Sequence, residues 1–318
     1  MSVRLIFLSV VGVSIIAMLG AIYSSTEFFD AKNPETEIGH DINSHRLECL
    51  EGGGKKWIDC SLPAQPYMLI TSDLHISSPI GRWPDTTKKF KEFLGLFSKA
   101  PPEKIFIVGD VVDNAIDNYP GSIENWRNEW ALFQAIKESF PFIVFQQSYG
   151  SGHDWLNDEM LDELDRDQGP RNGFFEWRGV KFIWLSFGPA AFVPGDEFHG
   201  SDLRQKDYDW LEEMLVLVPS ATLLFHVPLV TPESRSRAMF SGGRLIAVDP
   251  RDRLYSILSQ YSEKIDQIFS GHIHQIFRHE FEGIDYFSCP FIDNRGFCTI
   301  EISNEGILTR MFRWQDQL

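Results

Sequence analysis

Short apolar runs that each lead into a side chain able to bind metal are the feature that most constrains this chain. Residues 67–72, 104–108, 221–225 and 265–269 are such runs. Their length and composition are typical of β-strands buried on both faces. Open α/β sheets build their sites at the carboxyl ends of strands, so the pattern predicts a site at such an edge. The side chains that follow the runs are Asp73 and His75, Asp110, His226, and His272 and His274.

Helical segments separate the early apolar runs. Residues 86–100 carry phenylalanine and leucine at helical spacing, and residues 123–140 form a second such segment. The last part of the chain, residues 276–312, reads instead as successive strands joined by short turns. Early strands that alternate with helices, followed by hairpin-connected strands, predict an α/β fold with a two-sheet core and helices outside.

The chain has 318 residues, of which 43% are hydrophobic, so it can bury a sizeable core. Its formal net charge is −16, which disfavours general binding of nucleic acid because both surfaces are negative. We expect three parts: an N-terminal segment over residues 1–23, a polar linker over 24–65, and a folded domain over 66–318. No internal repeat or low-complexity tract interrupts the domain.

The N-terminal segment is predicted to be a membrane anchor. Residues 5–23 carry no charge and are long enough to cross about 30 Å of hydrocarbon as a helix. Arg4 precedes this segment, while Glu27 and Asp30 follow it, which predicts that the rest of the chain lies outside the cytoplasm. The alternative is a secretory signal peptide that is cleaved to release the domain, although Leu19-Gly20-Ala21 is a poor cleavage site.

The four cysteines fit an oxidising compartment. Cys49 and Cys60 flank a run of three glycines, and Cys289 and Cys298 flank the loop 293–296. Each pair predicts a local disulfide, and the alternative is four ordinary thiols. None of the four has the spacing of a zinc finger.

The ligand types and their spacing indicate a centre for two metal ions. Residues i and i+2 of an extended segment share a face, so Asp73 and His75 project together, as do His272 and His274. Gly109 permits the tight turn that directs Asp110 inward. A carboxylate has two oxygens and can bridge two cations, and its mixture with imidazole favours Mn, Fe or Zn over Ca. Two such ions would activate a water and neutralise phosphoryl oxygens.

The ordered set of motifs resembles the calcineurin-like metallophosphoesterase superfamily over roughly residues 66 to 315. The resemblance implies a sandwich of two mixed β-sheets with flanking helices. It also implies that Asp110 bridges two metals, that His153 protonates the leaving group and that Asp154 orients His153. Asp113 would lie just behind the metal ligands. The implied ligands are Asp73, His75 and His274 for one metal, and His226 and His272 for the other.

One position departs from the family pattern. The third motif of the family usually contains Gly-Asn-His followed by Asp or Glu, whereas this chain has Gly152-His153-Asp154. Gly152 therefore stands where the family has an asparagine that ligates the second metal. The Ser151 hydroxyl, the Gly152 carbonyl or a water are the candidate replacements. We expect the second metal site to be weaker.

These observations predict a metal-dependent phosphoester hydrolase, anchored to a membrane, with its domain outside the cytoplasm. A substrate at the membrane, such as a lipid-linked phosphoester, is expected from the location alone. One alternative is a binding or scaffold protein that has lost catalysis, which only Gly152 supports. Another is a nuclease or cyclic-nucleotide phosphodiesterase, which the negative charge and the N-terminal segment disfavour. Trp83 is interpreted as a packing residue.

Overall fold

The computed structural model describes residues 45–51, 56–64, 66–78, 83, 85–113, 123–150, 153–154, 158–187, 203–229, 240–241, 244–245, 248, 252–291 and 295–316. Within these ranges no helix has the length and apolar character needed to cross a membrane. The predicted anchor, residues 5–23, lies outside them.

Strands outnumber helices in the described part of the chain. In order they are β1 (His45–Glu51), β2 (Lys56–Asp59), β3 (Met68–Thr71), β4 (Lys104–Val108), β5 (Val144–Ser148), β6 (Gly173–Trp177), β7 (Val180–Leu185), β8 (Ala221–Phe225), β9 (Phe240–Ser241), β10 (Arg244–Leu245), β11 (Ile265–Ser270), β12 (Phe277–Phe281), β13 (Ile284–Ser288), β14 (Gly296–Ser303) and β15 (Gly306–Asp316). The helices are α1 (Thr86–Gly95), α2 (Ile123–Ser139), α3 (Asp158–Asp167), α4 (Gln205–Leu217) and α5 (Arg253–Gln260), and a 3₁₀ turn covers Ser262–Lys264.

Two mixed sheets form the centre of the fold. The first has the strand order β2-β1-β15-β14-β3-β4-β5, and the second has the order β12-β13-β11-β8-β7-β6. The strands β3, β4 and β5 run parallel, as do β7, β8, β11 and β13, while the remaining pairs of these two sheets are antiparallel. Parallel neighbours bring their carboxyl ends to one edge, which is where the predicted ligands lie. The predicted α/β fold, with two mixed sheets and flanking helices, is confirmed.

Alternating side chains give each sheet a core on both faces. On β4, Phe106 and Val108 point between the sheets, and Ile105 and Ile107 point toward α1, α2 and α3. On β8, Leu224 points between the sheets, and its neighbours point toward α4 and α5. Since every one of these side chains is almost fully buried, the strands read in sequence as continuous apolar runs.

The hairpin of β1 and β2 lies in the region predicted to be linker. The strand β1 pairs antiparallel with β15, so this hairpin extends the first sheet beyond the boundary expected at residue 66. The Arg313 guanidinium donates a hydrogen bond of 2.6 Å to Glu48 across this pair. A disulfide joins Cys49 to Cys60, with Cα atoms 5.7 Å apart. The sequence pattern missed the pairing because β15 is about as distant in sequence as the chain allows.

A second disulfide joins Cys289 to Cys298, with Cα atoms 6.0 Å apart. Cys289 directly follows β13 of the second sheet, and Cys298 lies in β14 of the first, so the bond links the two sheets. The hydroxyl of Thr71, at the end of β3, lies 2.9 Å from the Gly296 carbonyl oxygen in the same segment. The segment that carries the disulfide therefore contacts the end of β3, two residues before Asp73.

Element boundaries differ from the predicted ones by a few residues. The first helix ends at Gly95 rather than at residue 100, and the second ends at Ser139 rather than at residue 140. Helix α5 begins after Asp252, whose carboxylate accepts a hydrogen bond of 2.9 Å from the Leu254 backbone N–H. That contact satisfies one of the free N–H groups of the first turn and fixes where the helix starts.

Candidate metal centre

The predicted ligands come from both sheets and meet at one edge of the sandwich. Asp73 and His75 follow β3, Asp110 follows β4, His226 follows β8, and the pair His272 and His274 follows β11. The His272 backbone N–H donates a hydrogen bond of 2.8 Å to the Asp73 carboxylate, which crosses from the second sheet to the first. The Gly271 N–H donates to the His226 carbonyl oxygen at 2.9 Å, which ties the ends of β11 and β8 together.

One group of three ligand side chains contains Asp73, His75 and His274. Their ligand atoms all lie within 4.8 Å of one another. The Nε2 atoms of His75 and His274 are 3.1 Å apart, and His274 Nε2 is 3.5 Å from Asp73 Oδ1. Two imidazoles and a carboxylate at this separation can share one cation.

A second group contains Asp110, His226 and His272, again within 4.8 Å. The Oδ2 atom of Asp110 lies 3.0 Å from His226 Nε2 and 3.8 Å from Nε2 of His75 in the first group. Asp110 therefore reaches both groups, and so does Asp73, whose Oδ1 also lies 3.9 Å from His226 Nε2.

The backbone of the ligand residues is unusual. Five of the six predicted ligands have positive φ angles, a region that non-glycine residues seldom occupy. Such conformations cost about 1–3 kcal/mol each and persist where the surrounding structure enforces them, commonly at functional sites. No residue pattern in the sequence signals this conformation. The five angles are Asp73 53°, His75 45°, Asp110 49°, His272 70° and His274 50°.

Two glycines leave room for the ligands. A Cβ atom on Gly109 would lie 2.6 Å from the His226 ring, and the φ of Gly109 is +72°. A Cβ atom on Gly271 would lie 2.4 Å from the Asp73 carboxylate. Glycine is therefore required at both positions for the backbone to approach a ligand side chain this closely.

The hydrogen bonds and charges of the centre fit divalent cations. The Nδ1 of His226 lies 2.8 Å from the Val108 carbonyl oxygen, so Nδ1 carries the proton and Nε2 faces the centre. Among the described residues, His75 Nδ1 and Asp110 Oδ1 are buried atoms without a hydrogen-bond partner. Burial acts to lower the pKa of His226, but the Asp110 carboxylate and then Asp73 raise it to about 10. The two carboxylates therefore stabilise a positive charge at this position, and a bound cation would supply that charge.

His153 stands beside this centre. Its ring lies 4.6 Å from the His75 ring, and its side chain is 22% exposed whereas that of His75 is 1% exposed. Its Nδ1 lies 2.5 Å from the Asp113 carbonyl oxygen, which can only accept, so Nδ1 carries a proton and Nε2 is the free end. Burial acts to lower the pKa of His153, but Asp110 and both the carbonyl and carboxylate of Asp113 raise it overall.

The predicted contact between Asp154 and His153 is replaced by the one from Asp113. The Asp154 carboxylate accepts hydrogen bonds from the backbone N–H groups of Val111 at 2.7 Å, Val112 at 3.1 Å and Gly150 at 2.6 Å. Asp154 therefore holds the loop after Asp110 against the loop that leads to His153. The adjacent position of His153 and Asp154 in sequence suggested a direct pair, but consecutive side chains need not share a direction.

Some site residues have no signal in the sequence. The Ser72 hydroxyl donates to the Asp73 carboxylate at 2.5 Å, and the Thr86 hydroxyl lies 2.5 Å from the His75 carbonyl oxygen. Both hydroxyls orient ligand-bearing segments, yet serine and threonine are common at such places for many reasons. Ser151 and Gly152, the positions expected to affect the second metal, lie outside the described residues.

Comparisons with known proteins agree with this geometry. The family model described as calcineurin-like phosphoesterase matches residues 67–276. A dimetal phosphatase from Danio rerio has a similar structure, with a TM-score of 0.57 at 11% identity over 78% of this chain and 96% of that one. For GAP50 of Plasmodium, described as the anchor in the inner membrane complex, the TM-score is 0.47 at 14% identity over 77% of this chain and 83% of that one. No protein of curated function matches the chain in sequence.

Proposed function

This chain belongs to the calcineurin-like phosphoesterase family, and we propose that it is a metal-dependent hydrolase of phosphoester bonds. The observation that carries the proposal is the meeting of two groups of ligands, one around Asp73 and one around His226, with Asp110 between them. His153, which we propose as the proton donor, stands at the accessible side of the same centre. Family membership alone would be compatible with a protein that has kept the fold and lost the chemistry.

The residues divide the work of the reaction. Asp73, His75 and His274 would hold one divalent cation, and Asp110, His226 and His272 would hold the other. When bound, two such cations supply an activated water and neutralise charge on the phosphoryl oxygens. The Asp113 carbonyl fixes the proton on His153 Nδ1, so that Nε2 faces outward and can deliver a proton to the leaving oxygen. Mn, Fe and Zn suit this mixture of imidazole and carboxylate.

The test of this function is hydrolysis of bis-p-nitrophenyl phosphate and p-nitrophenyl phosphate by the full-length protein. Mn, Zn, Fe and Mg are added separately to chelator-stripped enzyme, and the ratio of the two substrates sorts diesterase from monoesterase. Asp110→Asn is expected to lower turnover at least about 100-fold. Mutating residues that only hydrogen-bond to metal ligands already lowers metal affinity or activity about 10- to 100-fold. Asp209→Asn is the matched control, since that carboxylate is 56% exposed and pairs with Arg253 on α5.

The absence of turnover by folded, metal-loaded protein would overturn the hydrolase and favour a binding protein of the same fold. In that case the glycine at position 152, where the family has an asparagine, would be the first position to restore. A Gly152→Asn variant that gained turnover would identify the missing ligand as the cause.

We further propose that the domain works outside the cytoplasm, anchored by residues 5–23. The uncharged segment and the two disulfides support this location. The substrate would then be a phosphoester at or near a membrane, including lipid-linked ones. A reporter enzyme that is active only in an oxidising compartment, fused after Leu318, should be active in cells. An inactive reporter would reject the location, and N-terminal sequencing of the mature protein would separate an anchor from a cleaved signal.

A further inference from the structure

The accessible rim of the metal centre contains an aromatic side chain that the reaction described above does not use. The His75 ring is surrounded by the rings of His153 at 4.6 Å, His274 at 5.0 Å and Trp83 at 6.4 Å between centroids. His75 itself is 1% exposed, whereas His153 and His274 are 22% and 26% exposed and Trp83 is half-buried. The indole therefore lies on the side of the centre that solvent reaches.

Hydrogen bonds hold Trp83 in a fixed position relative to the ligand His75. The Thr86 backbone N–H donates to the Trp83 carbonyl oxygen at 3.0 Å. The Thr86 hydroxyl lies 2.9 Å from the same oxygen and 2.5 Å from the His75 carbonyl oxygen, so one residue contacts both segments. Thr86 is also the first residue of α1 and is itself buried. A ring whose backbone is held this way loses little freedom when a ligand contacts it, which favours its use in binding.

The position of the ring matches where the organic part of a substrate must go. A phosphoryl group at the metal centre directs its ester group outward, past the side chains that form the rim. An indole face offers a large apolar surface and stacks with flat groups. We propose that Trp83 contacts the organic group next to phosphorus and selects phosphoesters in which that group is aromatic or otherwise flat and apolar. This selectivity rests on the proposed phosphoesterase function.

The expected selectivity is moderate. Aromatic pairs contribute about 0.5–1.5 kcal/mol beyond the burial of their area. At about 1.4 kcal/mol per tenfold, this corresponds to a preference of about 2- to 12-fold for a phosphonate that carries an aryl group over one that carries a methyl group.

The experiment measures binding rather than turnover, so that it can fail independently of the hydrolase. Dissociation constants of phenylphosphonate and methylphosphonate, which have no ester bond to hydrolyse, are measured by calorimetry on Mn-loaded full-length protein. Wild type is expected to bind phenylphosphonate about 2- to 12-fold more tightly than methylphosphonate. Trp83→Ala should remove that ratio and leave methylphosphonate binding unchanged, and Trp83→Phe should keep most of it. The matched control is Trp210→Ala, because Trp210 is a partly exposed tryptophan on α4 that packs against the helix-covered face of the second sheet.

Three outcomes would overturn the inference. The first is an unchanged phenyl-to-methyl ratio in Trp83→Ala. The second is equal weakening of both ligands in that variant, which would indicate a structural role for the indole. The third is equal affinity of wild type for phenylphosphonate and methylphosphonate. If wild-type protein showed no turnover but a phenyl-to-methyl affinity ratio that depends on Trp83, the hydrolase would be rejected and the aromatic contact would stand.

Discussion

The two sheets contribute different chemistry to the same centre. The seven-stranded sheet supplies both carboxylates, Asp73 and Asp110, whereas the six-stranded sheet supplies only imidazoles, at His226, His272 and His274. Each group of three ligands nevertheless mixes the two sheets. Neither sheet can therefore form a complete metal site alone, and the centre depends on how the sheets pack against each other.

This division has an energetic consequence. The carboxylates bring buried negative charge that is costly unless it is paired. Without metal, the imidazoles from the other sheet provide that pairing only when they carry a proton. With metal, the cation provides it and the imidazoles are neutral ligands. Metal binding should thus link the stability of the sheet interface to the state of the centre.

The largest expected effect is that removal of metal makes stability depend on pH. In stripped protein the pKa of His226 is raised to about 10 by Asp110 and Asp73, against about 6.5 unfolded. A raised pKa contributes stability that is complete below about pH 6.5 and is lost as pH rises toward 10. The free energy of unfolding of chelated protein should fall in this window by an amount on the order of a few kcal/mol. Urea unfolding at several pH values measures it, and an equal fall in metal-loaded protein would contradict the explanation.

The next largest effect separates the sheet interface from the outer core. Leu224 points between the sheets and Leu223 points toward the helices, and both are almost fully buried on β8. Either change to alanine should cost about 2–5 kcal/mol in unfolding free energy. Only Leu224→Ala is expected to weaken metal binding as well, because it loosens the packing that brings the two sets of ligands together. Equal metal affinity in both variants would show that the centre does not depend on that interface.

His153→Ala should lower turnover about 100-fold while metal content stays unchanged, because the side chain is the proposed proton donor and is not among the six predicted ligands. The expected loss is greater for a poor leaving group than for p-nitrophenol, which needs less protonation. His279→Ala is the matched control, since His279 stacks on Tyr286 in the second sheet, on a different strand from the ligands. Loss of metal together with activity would instead place His153 among the ligands.

The smallest effect tests which carboxylate acts on His153. Asp154→Asn replaces one oxygen that accepts buried backbone N–H groups, so it should cost about 1–3 kcal/mol of stability. Asp113→Asn removes a carboxylate that raises the pKa of His153, so the high-pH limb of the pH–rate profile, where His153 loses its proton, should move to lower pH. A larger shift of the pH–rate profile in Asp154→Asn than in Asp113→Asn would support the direct contact between Asp154 and His153 expected from the sequence.

The sequence predicted the elements whose signal is local and missed those that depend on distant contacts. The run before Asp73 and the run before Asp110 are readable because a strand buried on both faces needs consecutive apolar residues. The pairing of β1 with β15 joins the two ends of the described chain, so no local pattern encodes it. The contact between His153 and the Asp113 carbonyl depends on how two loops meet, and neighbours in sequence gave the wrong partner. The positive φ angles of the ligands are likewise imposed by the assembled fold.

The most direct measurement is a calorimetric titration of chelator-stripped full-length protein with Mn²⁺. Ligands from two sheets should bind two ions per chain, the second more weakly because glycine occupies position 152. Asp110→Asn should weaken both binding events, since Asp110 Oδ2 lies 3.0 Å from His226 Nε2 and 3.8 Å from His75 Nε2. Two sites of equal affinity would contradict only the prediction that the second site is weaker, and the two-sheet metal centre would stand. No saturable binding by folded protein would contradict the two-sheet metal centre itself.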